Sequence, residues 1–282
     1  MMETINFDQH FTQYLNRWIE RNRSRYRRPE DMEDAMPDVY LRFLNEPADW
    51  LDGCAPGTYF ERYDDAKQLC ELLCDYVTQD VPVPDPLLDR LAELGQEGPV
   101  LALALDAQAP LEARMHAVEL LRQMESSAPM VEYLRWQVER KEPLELMDNA
   151  LESLRLMGAA VAKPAKTAFL AADEQGREAL LDVLCDYPGD PDVFAFALER
   201  FRTQKDKRAL YAGYLAKLGD DHALEALLEV AESDDVTYVD FIEIRSAIER
   251  LGSEAPVRDF SHDPTYLAVR RLQRVGPQGG RT

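Results

Sequence analysis

The sequence predicts an all-α protein, an α-solenoid of antiparallel helix pairs. Three observations carry that expectation. An apolar face at helical spacing recurs six times. Glycine and proline punctuate the chain where such helices would stop and start. No stretch sustains strand alternation, and "DVPVPDP" (80–86) is short and proline-broken, which makes it a linker.

The recurring face is an i, i+3 pair: Leu91/Leu94, Leu121/Met124, Leu154/Met157, Leu184/Tyr187, Leu215/Leu218 and Ile248/Leu251. Successive closing residues lie 30, 33, 30, 31 and 33 positions apart. Four residues before each pair stands another apolar column of Leu87, Ala117, Ala150, Leu180, Tyr211 and Ile244. Spacing of i, i+4, i+7 places all three on one side of a helix. Gly95, Gly158, Gly219 and Gly252 directly follow four of the pairs, where a left-handed residue often closes a helix.

Second helices follow over Val100 to Leu105, Met130 to Val138, Ala165 to Leu170, Val193 to Leu198 and Leu224 to Val230. Prolines at 86, 110, 129, 143, 191 and 264 suit first-turn positions. Asp85, Glu142, Asp190 and Asp263 precede four of them and favour a helix start. One such pair cannot bury its own apolar stripe; stacked neighbours make a continuous core.

Residues 1 to 83 leave this register. "NFDQHFTQYLNRWIERNRSRYRR" predicts a helix with Phe7, Phe11, Tyr14, Trp18 and Asn22 near one line. "MPDVYLRFLNEP" predicts a second helix and "DDAKQLCELLCDYVTQ" a third, with "ADWLDGCAPGTYFERY" as a loop between them. The expected organisation is a helical cap over 1–83, a repeat array over 84–260, a capping helix over 261–275 and a disordered tail over 276–282.

"LAELGQEGPVLALALDAQAPLEARMHAVELL" (91–121) and "YLAKLGDDHALEALLEVAESDD" (214–235) resemble HEAT-like repeats, especially the short bacterial kind also found in phycobilin lyases. In each, a small-residue helix ends at Leu-Gly and a tight acidic turn leads to the next. The resemblance covers roughly residues 84 to 260 and implies a superhelix of about six repeats that binds other macromolecules. Two departures stand out. Repeat three replaces the acidic turn with "GAAVAKPAK", so its second helix is expected to be offset, and Pro188 stands where glycine would.

Charge limits the partners. The formal net charge is −21, with both ends at +3: residues 1–28 carry six arginines against Glu3, Asp8 and Glu20, and residues 262–282 four against Asp263. The middle therefore holds −27. So negative a body repels phosphate backbones and anionic lipid, and favours basic partners. The start "MMETINFDQHF" has no basic flank or apolar core, and no apolar run approaches the ~20 residues of a membrane span. Four irregularly spaced cysteines fit a reducing cytosol. The arginines of "RWIERNRSRYRRPEDMED" (17–34) scatter around the exposed arc of their helix and read as a solvated face that pairs with "EDMED".

No GxSxG, P-loop or GxGxxG occurs, and no catalytic residue, cofactor or metal is expected. Cys70 and Cys74 lie one helical turn apart and read as small buried thiols. His10, His116, His222 and His262 are isolated, and "YPGDPD" and "ESDDV" lack EF-hand spacing. Two constellations are candidates for a protein-binding surface. Arg114, Arg177 and Arg208 each stand ten residues before a closing apolar residue and would form a ladder. Glu112 and Asp206 are near enough in sequence to pair with the first and last. In "VEYLRWQVER" (131–140), Val131, Leu134 and Val138 form the expected packing face, and Tyr133, Trp136 and Arg140 on another side either meet a protein partner or pack on the neighbouring repeat. The functional expectation is a non-enzymatic scaffold or adaptor that presents an acidic surface to a basic protein. The alternatives are a helical-repeat DNA-processing enzyme resembling alkylpurine DNA glycosylases, which the charge disfavours, and a self-assembling structural protein.

Overall fold

Short polar side chains start many of the helices. Asn6, Asp65, Asp173, Asp190 and Thr237 each accept a hydrogen bond from a backbone N–H one turn on, which satisfies a donor the helix itself leaves open. The computed structural model describes residues 4–26 and 29–275, and the expected disordered tail lies outside them.

Helices and 3₁₀ turns are the regular structure of the described residues, which contain no strand. The elements are α1 (Phe7–Asn22), α2 (Pro29–Glu33), α3 (Met36–Asn45), α4 (Ala66–Thr78), α5 (Asp85–Leu94) and α6 (Glu97–Leu105). Then come α7 (Leu111–Gln123), α8 (Met130–Glu139), α9 (Leu144–Leu156), α10 (Ala162–Ala171) and α11 (Glu174–Leu184). Last are α12 (Pro191–Thr203), α13 (Arg208–Leu218), α14 (Leu224–Glu232), α15 (Tyr238–Arg250) and α16 (Pro264–Val275). Among the described residues, no helix is long and apolar enough to cross a membrane.

The chain divides into two compact units, with changes of unit after Tyr133, Arg140 and Met157. In the first, α4 packs on α5 and α6, and α7 packs on α5, α6 and α9. In the second, α10 packs on α11, α12 on α13, and α15 on α13, α14 and α16.

The recurring apolar face is the core. Leu91, Leu121, Leu154, Leu184, Leu215 and Ile248 are buried, as is every member of the preceding column. Leu218 is buried too, while Leu94, Met124, Met157, Tyr187 and Leu251 are half-buried at the helix ends. Each buried leucine removes about 2 kcal/mol worth of apolar surface from water.

The stop signals act as read. Gly95, Gly158, Gly219 and Gly252 all have left-handed backbone. Glu125 adopts it in repeat two (φ 54°) without glycine's freedom. After Pro188, Gly189 supplies the turn (φ 99°). Repeat three inserts a 3₁₀ turn, Gly158–Val161, ahead of α10. Of the four acids before proline, Asp190 and Asp263 accept from backbone N–H groups of their helices. Asp85 instead accepts from the Tyr40 hydroxyl, and Glu142 from Arg114.

The N-terminal segment packs by rings. Phe7 meets Trp50 edge-on (5.2 Å) and Phe60 face-on (5.6 Å), and Phe11 meets Tyr40 and Phe43 at 5.0 and 5.2 Å. The expected loop is two 3₁₀ turns, Asp49–Leu51 and Pro56–Arg62, that bury Leu51, Pro56 and Phe60. Asp52 and Gly53 turn the chain between them with left-handed backbone.

Candidate functional site

The three arginines lie near helix starts, Arg114 and Arg208 buried and Arg177 half-buried. Arg114 is buried; its Nε donates to the Ala104 carbonyl (3.0 Å) and its Nη2 to Glu142 (2.8 Å). Arg177 donates to the Phe169 carbonyl (3.2 Å) and lies over the Phe169 ring. Arg208 is buried and reaches Asp235 at 3.5 Å. The partners are Glu142 and Asp235, not the expected Glu112 and Asp206. Arg114 and Arg177 each close the carbonyl end of the preceding helix, where a cation is favoured. Asp235, which also accepts from Lys205 (2.6 Å) and Ser233 (2.8 Å), is held well below the usual carboxylate range.

Of the two settings open to Tyr133 and Trp136, α8 takes the buried one, and Val131 of the expected packing face is exposed. Tyr133 and Trp136 are 0% and 4% exposed, whereas Val131 is 70% exposed. Two large rings remove more apolar area from water than one valine does, so the helix turns them inward and keeps Leu134 buried in either setting. Burial pushes the Tyr133 hydroxyl up. Arg140 closes the helix with left-handed backbone (φ 52°) and donates to the Gln137 amide oxygen (3.1 Å). These residues do not form an open patch. The packing also explains Gly176: a Cβ there would stand 2.6 Å from the Gln137 carbonyl oxygen.

Among the groups that could hold a metal, Asp220, Asp221 and His222 bring ligand atoms within 4.8 Å of one another. They belong to a helix-start turn. Asp220 accepts from the His222 N–H (3.0 Å) and contacts its Nδ1 (2.7 Å), which lowers the carboxyl and raises the imidazole from their ordinary values. Burial pushes Cys70 up to about 12 and Cys185 up to about 11, so neither is a ready thiolate.

Two clefts in the N-terminal segment gather polar chemistry, one on each side of buried Phe43. The first, of about 500 Å³, lies between α1, α3 and the Asp49–Leu51 turn. His10, Tyr14, Arg17, Trp18 and Arg21 fall within one side of α1 and line it, and Arg42 of α3 faces the same space. The His10 ring stacks on Trp50 at 3.9 Å, nearly parallel (7°), and burial lowers its pKa. Tyr14 donates to Glu46 (3.0 Å), and burial with that bond raises the phenol. Arg23 to Arg25 leave the helix as a 3₁₀ turn. Arg27 and Arg28 lie outside the described residues.

Comparison with family models, with curated proteins and with solved structures finds no match. The chemistry of the clefts therefore rests on geometry alone.

The second cleft, about 330 Å³, has walls of Phe11 and Tyr40 and a lip formed by Asp8 and Asp85. Burial, then the hydrogen bond to Asp85 (3.0 Å), push Tyr40 up to about 12; Asp8 and Asp89 add to the shift. Asp85, Asp89 and Glu93 stand at i, i+4, i+8 and are all exposed on α5. Arg90 engages Glu93 (3.4 Å) and Asp64 (2.9 Å). Partial burial, with Asp85 and Glu93 as like-charged neighbours, raises Asp89. The acidic side of α5 and the cation-accepting faces of Phe11 and Tyr40 thus adjoin. Sequence reasoning missed both clefts, although each rests on the aromatic line of α1 that the spacing marked out.

Proposed function

We propose that this protein is a non-catalytic helical-repeat scaffold of HEAT-like kind that holds a basic segment of a protein partner. The carrying observation is the carboxylate row of α5 beside the aromatic cleft. Partial burial first, and then repulsion from Asp85 and Glu93, raise the Asp89 carboxyl. A lysine or arginine laid over this row relieves the repulsion, and its aliphatic stem and charged head suit Phe11 and Tyr40. The −21 net charge steers such a partner in and repels phosphate backbones. The six buried apolar faces, spaced about thirty residues apart, support the solenoid reading. Four free thiols suit work in a reducing compartment such as the cytosol.

The test is titration of the full chain with an arginine-rich peptide at low and high salt. The reading expects saturable binding that weakens with salt and drops about tenfold in an Asp85→Asn/Asp89→Asn variant, a loss of ~1.4 kcal/mol. Peptide binding that ignores both salt and those two substitutions would overturn it.

A further inference from the structure

We infer that the cleft between α1 and α3 binds a small organic phosphate carrying a planar ring, a ligand of mononucleotide size and chemistry. This inference stands apart from the basic-partner reading, because it uses the opposite charge and the other side of Phe43. Three observations carry it.

The first is charge. In a chain of −21, the arginines outside the N-terminal segment commonly hold carboxylates: Arg114 with Glu142, Arg200 with Glu174, Arg208 with Asp235 and Arg245 with Glu249. Among the described residues, no carboxylate lies within ion-pair distance of Arg17, Arg21 or Arg42, although Glu46 lines the same cleft. Glu46 is turned to the Tyr14 hydroxyl instead. Arg17 donates only its Nε, to the Gln13 carbonyl (3.2 Å), which leaves the rest of its guanidinium for a ligand. Three guanidiniums on one space, in an excess of acid, suit a dianion with several acceptor oxygens.

The second is shape. A volume of about 500 Å³ falls within the range of small-molecule sites. The third is the aromatic lining beside the charge. Trp18 and Trp50 are half-exposed there; His10 covers one face of Trp50 at 3.9 Å, which leaves the Trp18 ring as the surface for a planar group. Stacking of a heterocycle on an aromatic side chain contributes about 1–3 kcal/mol and is tolerant of ring identity. The phosphate then meets the arginines, and the Asn22 amide and the Glu46 carboxylate lie at hand for hydroxyls or ring nitrogens.

Fluorescence of Trp18 and Trp50 reports occupancy directly, since the third tryptophan, Trp136, is buried. The full chain is titrated with AMP, adenosine and inorganic phosphate, with calorimetry in parallel. Saturable one-to-one quenching by AMP is expected. Adenosine should bind about tenfold or more weakly, and inorganic phosphate should compete. Arg17→Ala/Arg21→Ala should weaken AMP at least about tenfold, or ~1.4 kcal/mol. These side chains are exposed, so the fold is kept, and Arg25→Ala on the following turn should leave binding unchanged. No saturation by AMP up to about 5 mM, a Kd implying less than ~3 kcal/mol, overturns the inference. So does AMP binding that Arg17→Ala/Arg21→Ala leaves intact. Inorganic phosphate binding as tightly as AMP overturns the ring component.

Discussion

The aromatic segment before residue 64 and the helices from 85 to 250 solve the same problem with different side chains. The helices bury columns of leucine and alanine whose spacing repeats. The segment buries Phe7, Phe43 and Phe60 and fills the remaining space with half-buried rings at mixed angles. Rings pack edge-on and offset and do not tile at a fixed period. Clefts are left between them, and polar side chains can look into those clefts. Regular packing makes structure repeat; irregular packing makes places for ligands.

The arginines divide along the same line. In the helical region the buried ones are structural. Arg200, buried on α12, faces Glu174 (2.5 Å), Glu199 (3.6 Å) and Glu178 (3.7 Å) and covers the Phe196 ring. In the N-terminal segment Arg17, Arg21 and Arg42 are exposed on a cleft.

Four measurements would break or sharpen this contrast. Leu215→Ala removes a fully buried member of the recurring face and should cost about 2–5 kcal/mol in urea unfolding; a loss below ~1 kcal/mol would deny that face its role as core. Arg200→Ala should cost about 2 kcal/mol, because a buried guanidinium and its charge-assisted bonds are lost, whereas Arg21→Ala should stay within about 0.5 kcal/mol. Equal losses at the two positions would erase the distinction between them. Glu125→Gly should stabilise by up to about 1 kcal/mol, since a left-handed side chain is relieved at a position four repeats give to glycine.

The smallest effect concerns pH. Asp89 is raised in the folded state, so folding takes up a proton in the window between the ordinary and the raised value. Its destabilising charge is present above that window and disappears as the pH falls through it. Asp89→Asn should therefore stabilise by a few tenths of a kcal/mol at pH 7 and by nothing near pH 3. A benefit independent of pH would show that repulsion along α5 is not its cause.

Much of the helical region was legible because its signals are local and repeated. Period, glycine stops and proline starts each need only a few neighbouring residues. The error at Val131, and the two readings left open for Tyr133 and Trp136, have the opposite origin. Either side of α8 is apolar enough to face inward, and only the neighbouring helices decide between Val131 and two rings. The partners of Arg114 and Arg208 were missed for a related reason. Glu142 and Asp235 lie 28 and 27 residues away, beyond any spacing rule, and the acids closer in sequence looked equally suitable.

By itself the sequence determined the all-helical class, where most helices begin and end, and which residues form the recurring buried face, because backbone preference and amphipathic period act within one or two turns. Tertiary structure alone decided which side of an ambiguous helix is buried, which acid each arginine meets, and that Arg17, Arg21 and Arg42 open onto one cleft while Asp8 and Asp85 rim another. Those outcomes depend on distances between elements far apart in the chain, and charge and hydrophobicity act through space with no record of sequence order.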